Sequence, residues 1–120
     1  MRNLLSKLFL ESFWFEIEKL SEKKKKVTER DCQRVFVFCM RCLYPEIFTK
    51  MISDTPGTSN SVGYDIILIS ESKTIFIDLK TKKGKKENSQ IALQKEVESF
   101  EFIEYYFLVC DIEKKIFHTI

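Results

Sequence analysis

The sequence predicts an α/β or α+β domain in which one sheet is covered by helices, and three observations carry that prediction. Apolar residues recur at spacings of three and four over residues 3–21 and again over 27–45, which is the helical period. Between residues 64 and 80 they form two short runs separated by "ESK", and the second alternates with a period of two, as strands do. Only 3 glycines and 2 prolines occur in 120 residues, so little of the chain can be structureless. We read residues 1–120 as one domain, with an N-terminal helix and lysine-rich connector over 1–26 and the main body over 27–120.

In residues 3–21, Leu4, Leu5, Leu8, Phe9, Phe13, Ile17 and Leu20 fall on one helical face, and Leu10, Trp14 and Phe15 widen it. So wide a face calls for cover by the core or by a second subunit, which predicts a homodimer. Lys7, Glu11, Glu16 and Glu18 interrupt the apolar run, and no small-residue cleavage site follows. That argues against a signal peptide and a bilayer span, so no membrane association is expected, with a cytoplasmic location, or the nucleoid or host-cell interior for a protein of viral origin. The following "SEKKKK" reads as a solvated connector.

The second helix begins at a capping signal. Thr28 is followed three residues later by Asp31, and Glu29 favours the positive helix N-terminus. Val35, Cys39, Cys42 and Leu43 form its expected inward stripe, flanked by Phe36 and Phe38, and Pro45 ends it. A short helix or turn is expected around "PEIFTKMI". "SDTPGTSNSVG" carries the only dense turn chemistry and is expected to be a mobile, substrate-facing loop. "YDIILIS" and "TIFIDLK" should pair as an antiparallel hairpin. A helix from Asn88 to Phe100, capped by Asn88 or Ser89, precedes two last strands, "EYYFLVC" and "KKIFHTI".

Cys39 and Cys42 form a C-x-x-C, which invites zinc or redox chemistry. A zinc site would need a second pair, and only Cys32, Cys110 and His118 remain, at irregular spacing. Helical spacing puts residues 32, 39 and 42 near one face, where cysteine serves as a small hydrophobe. His118 has no evident partner in the sequence and reads as structural.

The net charge of +2 does not by itself argue for nucleic acid, but the lysines cluster at 23–26 and 80–86. In "TIFIDLK", Ile75, Ile77 and Leu79 share one strand face and must face the core. Asp78 and Lys80 therefore project together from the other face, beside Phe76. Hairpin pairing brings Asp65, at the head of the preceding strand, close to both. A D-x-K pair on a strand is often only a solvent-exposed ion pair. Two converging carboxylates, however, suit a hard cation such as Mg²⁺ or Mn²⁺, and a neighbouring lysine can offset charge developing on a phosphate.

"VGYD", then "DLK" on the next strand, resembles the PD-(D/E)xK nuclease superfamily. "DLKTKKGKKENSQIALQKEVE" is similar, more narrowly, to its virus-type replication-repair (VRR-NUC) branch, as is "TERDCQRVFVFCMRCLYPEIF" with Glu29 and Gln33. The resemblance covers about residues 28–113, with Tyr64 where the family has proline and Asp78 where it has glutamate. It implies a restriction-endonuclease-like core and a Mg²⁺- or Mn²⁺-dependent endonuclease acting on branched or otherwise structured DNA in replication, repair or recombination. Under it Asp65, Asp78 and Glu29 would bind the metal, Lys80 would be the catalytic lysine and Gln90 would stand near the site. Lys82, Lys83, Lys85 and Lys86, around Gly84, would grip the DNA backbone, or else merely solubilise a turn. Gln94 reads as solvent-exposed. The alternatives are a catalytically inactive nucleic-acid-binding module and a protein–protein adaptor whose residues 1–20 dock a replication or repair partner.

Overall fold

Two helices, α1 (Lys7–Lys23) and α2 (Glu29–Leu43), open the computed structural model, which describes residues 5–54, 62–82 and 86–119. Strand β1 (Phe48–Met51) and a short 3-10 turn follow, then the hairpin β2 (Ile66–Ile69) and β3 (Thr74–Lys80). Helix α3 (Asn88–Val97) leads to β4 (Ile103–Asp111) and β5 (Ile116–Thr119). The chain is thus a mixed α/β structure with one five-stranded sheet in the order β1-β2-β3-β4-β5. β3 and β4 run parallel, joined through α3, and the other neighbours are antiparallel.

Strand alternation divides the sheet into two faces. Ile75, Ile77 and Leu79 of β3, with Leu108 and Cys110 of β4, pack against Phe9, Phe13 and Ile17 of α1 and Cys32, Phe36 and Met40 of α2. Within this core Phe36 meets the Phe9 ring edge-on at 4.9 Å, and Phe13 lies 4.9 Å from Phe117 of β5. The opposite face carries Asp78 of β3 beside Phe107 of β4, in register. Helix α3 lies against β4 and supplies buried Val97 and Gln90. Helices therefore cover both faces of the sheet, and β3 is buried from two sides.

Ser6 caps α1, its Oγ accepting from Phe9 N. The α2 capping box is closed as the sequence implies: Thr28 Oγ1 accepts from Asp31 N at 3.1 Å, and Asp31 Oδ2 accepts from Thr28 N at 2.9 Å. Lys24, from the lysine connector, adds a 2.7 Å ion pair to Asp31. Burial works against the charge of Asp31, but the bonds from Lys24 and Thr28 outweigh it and hold the carboxyl below its usual range. This cap fixes where α2 starts, and hence where Glu29 and Arg30 stand. Thr28→Ala is expected to cost about 1 kcal/mol of stability, read as a lowered midpoint in urea at unchanged slope.

Several expectations need correction. β1 occupies the segment expected to form a helix or turn, because Phe48–Met51 finds a paired edge along β2. The inward face of α2 is Cys32, Phe36, Val37, Cys39 and Met40; Phe38 and Cys42 are exposed and Val35 and Leu43 only half-buried. Apolar residues run almost continuously from 35 to 40, so periodicity leaves the helix's rotation undetermined. Cys32, Cys39 and Cys110 are buried, and all four cysteines are free, so the C-x-x-C is divided between core and surface. α3 ends at Val97 rather than Phe100, and the residue at its N-cap is Glu87, not Asn88 or Ser89. Residues 55–61 of the expected substrate-facing loop lie outside the described residues, as do Lys83, Gly84 and Lys85. His118 has a partner, Asp111, at 3.7 Å.

The wide apolar face of α1 is only partly covered. Phe9, Phe13 and Ile17 are buried, whereas Leu8 and Phe15 remain exposed beside Phe38 of α2 along an open, mainly apolar groove. No helix among the described residues is long and apolar enough to cross a membrane.

Candidate functional site

At the C-terminal end of β3 the sheet opens into a cleft of about 390 Å³. It is lined by Asp65, Asp78, Lys80, Glu29 and Gln90, the five residues proposed for chemistry, and by Arg30, Gln33, Gly63, Tyr64 and Glu87. Four segments that are distant in sequence supply these side chains.

Asp65 stands where the β2–β3 hairpin stops pairing. Its backbone N–H still donates to Ile77 O at 2.9 Å, but the next β3 donor on that side, Leu79 N, has no β2 residue paired with it. The Asp65 carboxylate takes that donor instead, at 2.9 Å. A side chain thus replaces a ladder bond, which fixes Asp65 against the neighbouring strand and leaves the cleft open beside it.

Asp78 is 1% exposed, an unusual position for a carboxyl group. Gln90 Nε2 donates to its Oδ2 at 2.6 Å, and Lys80 Nζ lies 3.7 Å from its Oδ1. Burial, a hydrogen bond with Asp65 and the charge of Asp65 push its pKa up to about 8, against the pull of Lys80. The crowding of the two carboxyl groups thus disfavours a second negative charge at Asp78.

Lys80 reaches across the cleft between two acids. Its ammonium lies 3.7 Å from Asp78 and 4.0 Å from Glu29. Burial opposes its charge, but Asp78, Glu29, Asp65 and Glu87 together outweigh that and raise its pKa. Glu29 also accepts from Thr81 N at 3.3 Å, and Gln33 Nε2 donates to Leu79 O at 3.1 Å. The first turn of α2 is thereby bonded to the end of β3. Gln33 and Gln90 are both buried, and each spends its polar groups on holding the site together. Gln90 Oε1 accepts from Glu87 N at 2.6 Å, so the glutamine that holds Asp78 also closes the start of α3.

Asp65 and Asp78 are the pair that could hold a hard divalent cation. Among the described residues, no three His, Cys, Asp or Glu side chains are grouped so as to hold an ion as they stand. Glu29 is turned to Lys80 and Thr81.

The basic turn is less uniform than its sequence. Lys82 is exposed, while Lys86 donates to Gln94 at 3.1 Å and sits 5.8 Å from the Phe107 ring. Gln94 is half-buried by this contact rather than solvent-exposed.

Three participants escaped the sequence reading. Tyr105 donates to Gly63 O at 3.0 Å, and its pKa is raised by burial and by the charges of Asp78 and Asp65. Arg30 forms part of the cleft wall. Gly63, two residues before Asp65, has φ of +92° and lies so close to α3 that an added Cβ would stand 2.6 Å from Ser89 O. A side chain there meets both backbone strain and a collision with a carbonyl. Gly63→Ala is expected to cost about 1–3 kcal/mol and to loosen the Asp65 segment from α3, readable as faster amide exchange at Gln90 and Ile91. Positive φ cannot be read from a Val-Gly-Tyr string, and only tertiary contact shows what Tyr105 bonds.

The chain matches no protein-family model, no curated protein and no solved structure.

Proposed function

We propose that the protein is a metal-dependent nuclease that hydrolyses phosphodiester bonds in DNA, built on a restriction-endonuclease-like core of the PD-(D/E)xK type. One observation carries the reading: a buried strand presents Asp78 and Lys80 on one face, and Asp65 from the head of the neighbouring strand meets them in an open cleft. A solvent-exposed ion pair, the ordinary use of a D-x-K strand, would not have its aspartate buried and held by a glutamine. The mixed sheet with helices on both faces, and the aspartate one strand ahead of the acid-x-lysine pair, support the fold reading.

The residues fit a two-carboxylate site for Mg²⁺ or Mn²⁺, ions that take oxygen ligands and keep several waters. The chemistry of the donor set is the test: two oxygen acids crowd together where a cation would relieve their repulsion. Asp65 and Asp78 would hold the ion, which when bound would polarise the scissile phosphate and offset its charge. The chain's own groups do the remainder. Gln90 fixes Oδ2 of Asp78, so the carboxyl cannot turn away from Asp65. Lys80, kept charged by its acidic neighbours, can orient the attacking water or stabilise the pentacovalent phosphorus. Glu29 steadies Lys80 from the far side, and Lys82 is exposed where flanking phosphates would lie.

A binding-only module is favoured by a different observation, the engagement of Glu29 with Lys80 and Thr81 rather than with the aspartates. A titration of Mg²⁺ and Mn²⁺ against nicked, flapped and four-way DNA separates the two. Strand cleavage that a chelator stops is expected. If wild type and Lys80→Ala are equally inert with every metal and substrate, the nuclease reading fails. Metal-independent binding lost on neutralising Lys82, Lys83, Lys85 and Lys86 would then identify the module.

A further inference from the structure

The cleft has an electrostatic imbalance that its aspartates and Lys80 do not resolve. Among the described residues its lining includes the acids Glu29, Asp65, Asp78 and Glu87, but only two cations, Lys80 and Arg30. Lys80 is occupied, with Asp78 at 3.7 Å and Glu29 at 4.0 Å. A polyanion entering such a cleft meets net repulsion unless further positive charge faces it. Arg30 lines the same cleft, is exposed, and takes no ion pair or hydrogen bond through its side chain from any described residue. Its position is nonetheless well defined, because the Thr28–Asp31 capping box sets the first turn of α2. The bond from Gln33 to Leu79 O then ties that turn to β3.

We infer that Arg30 is a phosphate-binding residue for a nucleic-acid strand laid across the cleft, reaching it from the first turn of α2. The inference rests on the nuclease reading for the identity of the strand. It adds a contact separate from those of the lysine-rich segment, since Arg30 belongs to α2 whereas Lys82 and Lys86 come after β3. A guanidinium is well matched to a phosphate, because its planar donor fork meets two oxygens at once and it holds its charge at any working pH. Arg30 and Lys82 would then meet the strand from two different elements, one in α2 and one just after β3.

Fluorescence anisotropy of a labelled flapped DNA, with Ca²⁺ in place of Mg²⁺ to prevent turnover, tests this over a series of salt concentrations. Arg30→Ala should weaken binding about tenfold and flatten the slope of log K against log salt by about 0.7–0.9, the loss of one phosphate contact. Arg30→Lys should restore the slope and part of the affinity. Arg34→Ala, which removes an exposed arginine of the same helix that does not line the cleft, should behave as wild type. Affinity and slope of Arg30→Ala equal to wild type would overturn the inference while leaving the nuclease reading intact. Wild type that neither binds nor cleaves DNA would overturn both. Thermal melts check that Arg30→Ala is folded, as expected for an exposed side chain with no partner among the described residues.

Discussion

Lys80→Ala is expected to lower metal-dependent DNA cleavage by about 10³-fold or more while leaving DNA affinity within a few-fold of wild type. The asymmetry follows from where Lys80 sits. Its ammonium is turned inward, between Asp78 at 3.7 Å and Glu29 at 4.0 Å, so it adds little to a distant phosphate backbone. It does face the place where a phosphate bound at the aspartates would gain charge during the reaction, so its contribution is felt in the transition state. The fold should persist, because Ile75, Ile77 and Leu79 anchor β3 from the other face. Single-turnover cleavage with Mn²⁺ measures the effect. Loss of binding and cleavage in equal proportion would make Lys80 a simple phosphate anchor, and a rate within tenfold of wild type would remove it from the chemistry.

Asp78→Asn is expected to act in opposite directions on stability and on metal binding. Folding raises the Asp78 pKa from an ordinary 3.8 to about 8. Below about pH 4 the folded and unfolded chains both hold this proton, and the group's contribution to stability is fully present. As the pH rises towards 8 the unfolded chain releases the proton more readily than the folded one, so stability is lost. An amide has nothing to titrate. Its oxygen can accept from Gln90 and its NH₂ can donate to Asp65, reproducing the protonated acid. With chelator present, the variant should therefore match wild type near pH 4 and exceed it by a margin that grows as the pH rises towards 8. Denaturant midpoints across that range provide the check, and parallel pH profiles for the two proteins would contradict it. The same variant should lose Mn²⁺ binding, because a neutral amide is a poor ligand for a hard cation. A protein more stable without its candidate ligand marks a position kept for chemistry rather than for the fold.

The sequence was most informative where one physical signal stood alone. β3 begins and ends at Thr74 and Lys80, as its alternation implies, and the pairing of Asp65 with its end follows from the hairpin. The α2 cap was legible because Thr28 and Asp31 have a local use whatever the tertiary structure. Where signals competed, less could be read. The α2 face was misplaced because nearly every side of the helix between 35 and 40 offers an apolar residue. β1 is four residues long and is stabilised by its partner rather than by its own pattern. The chemistry divides in the same way. Asp65, Asp78, Lys80, Glu29 and Gln90 do line one cleft, but the burial of Asp78 and the attachment of Glu29 to Thr81 depend on packing across four segments. Arg30 gave no sequence signal, since a basic residue early in a helix is ordinarily a solvated one.

The nuclease reading stands on a divalent-cation site formed by Asp65 and Asp78 beside Lys80. Crystals soaked in Mn²⁺ and measured at the manganese absorption edge would locate it. An anomalous peak is expected between the two aspartate carboxylates, absent from Asp78→Asn crystals treated identically. Anomalous density only elsewhere on the molecule, or none at a concentration that saturates a known two-carboxylate Mn²⁺ site, would contradict it.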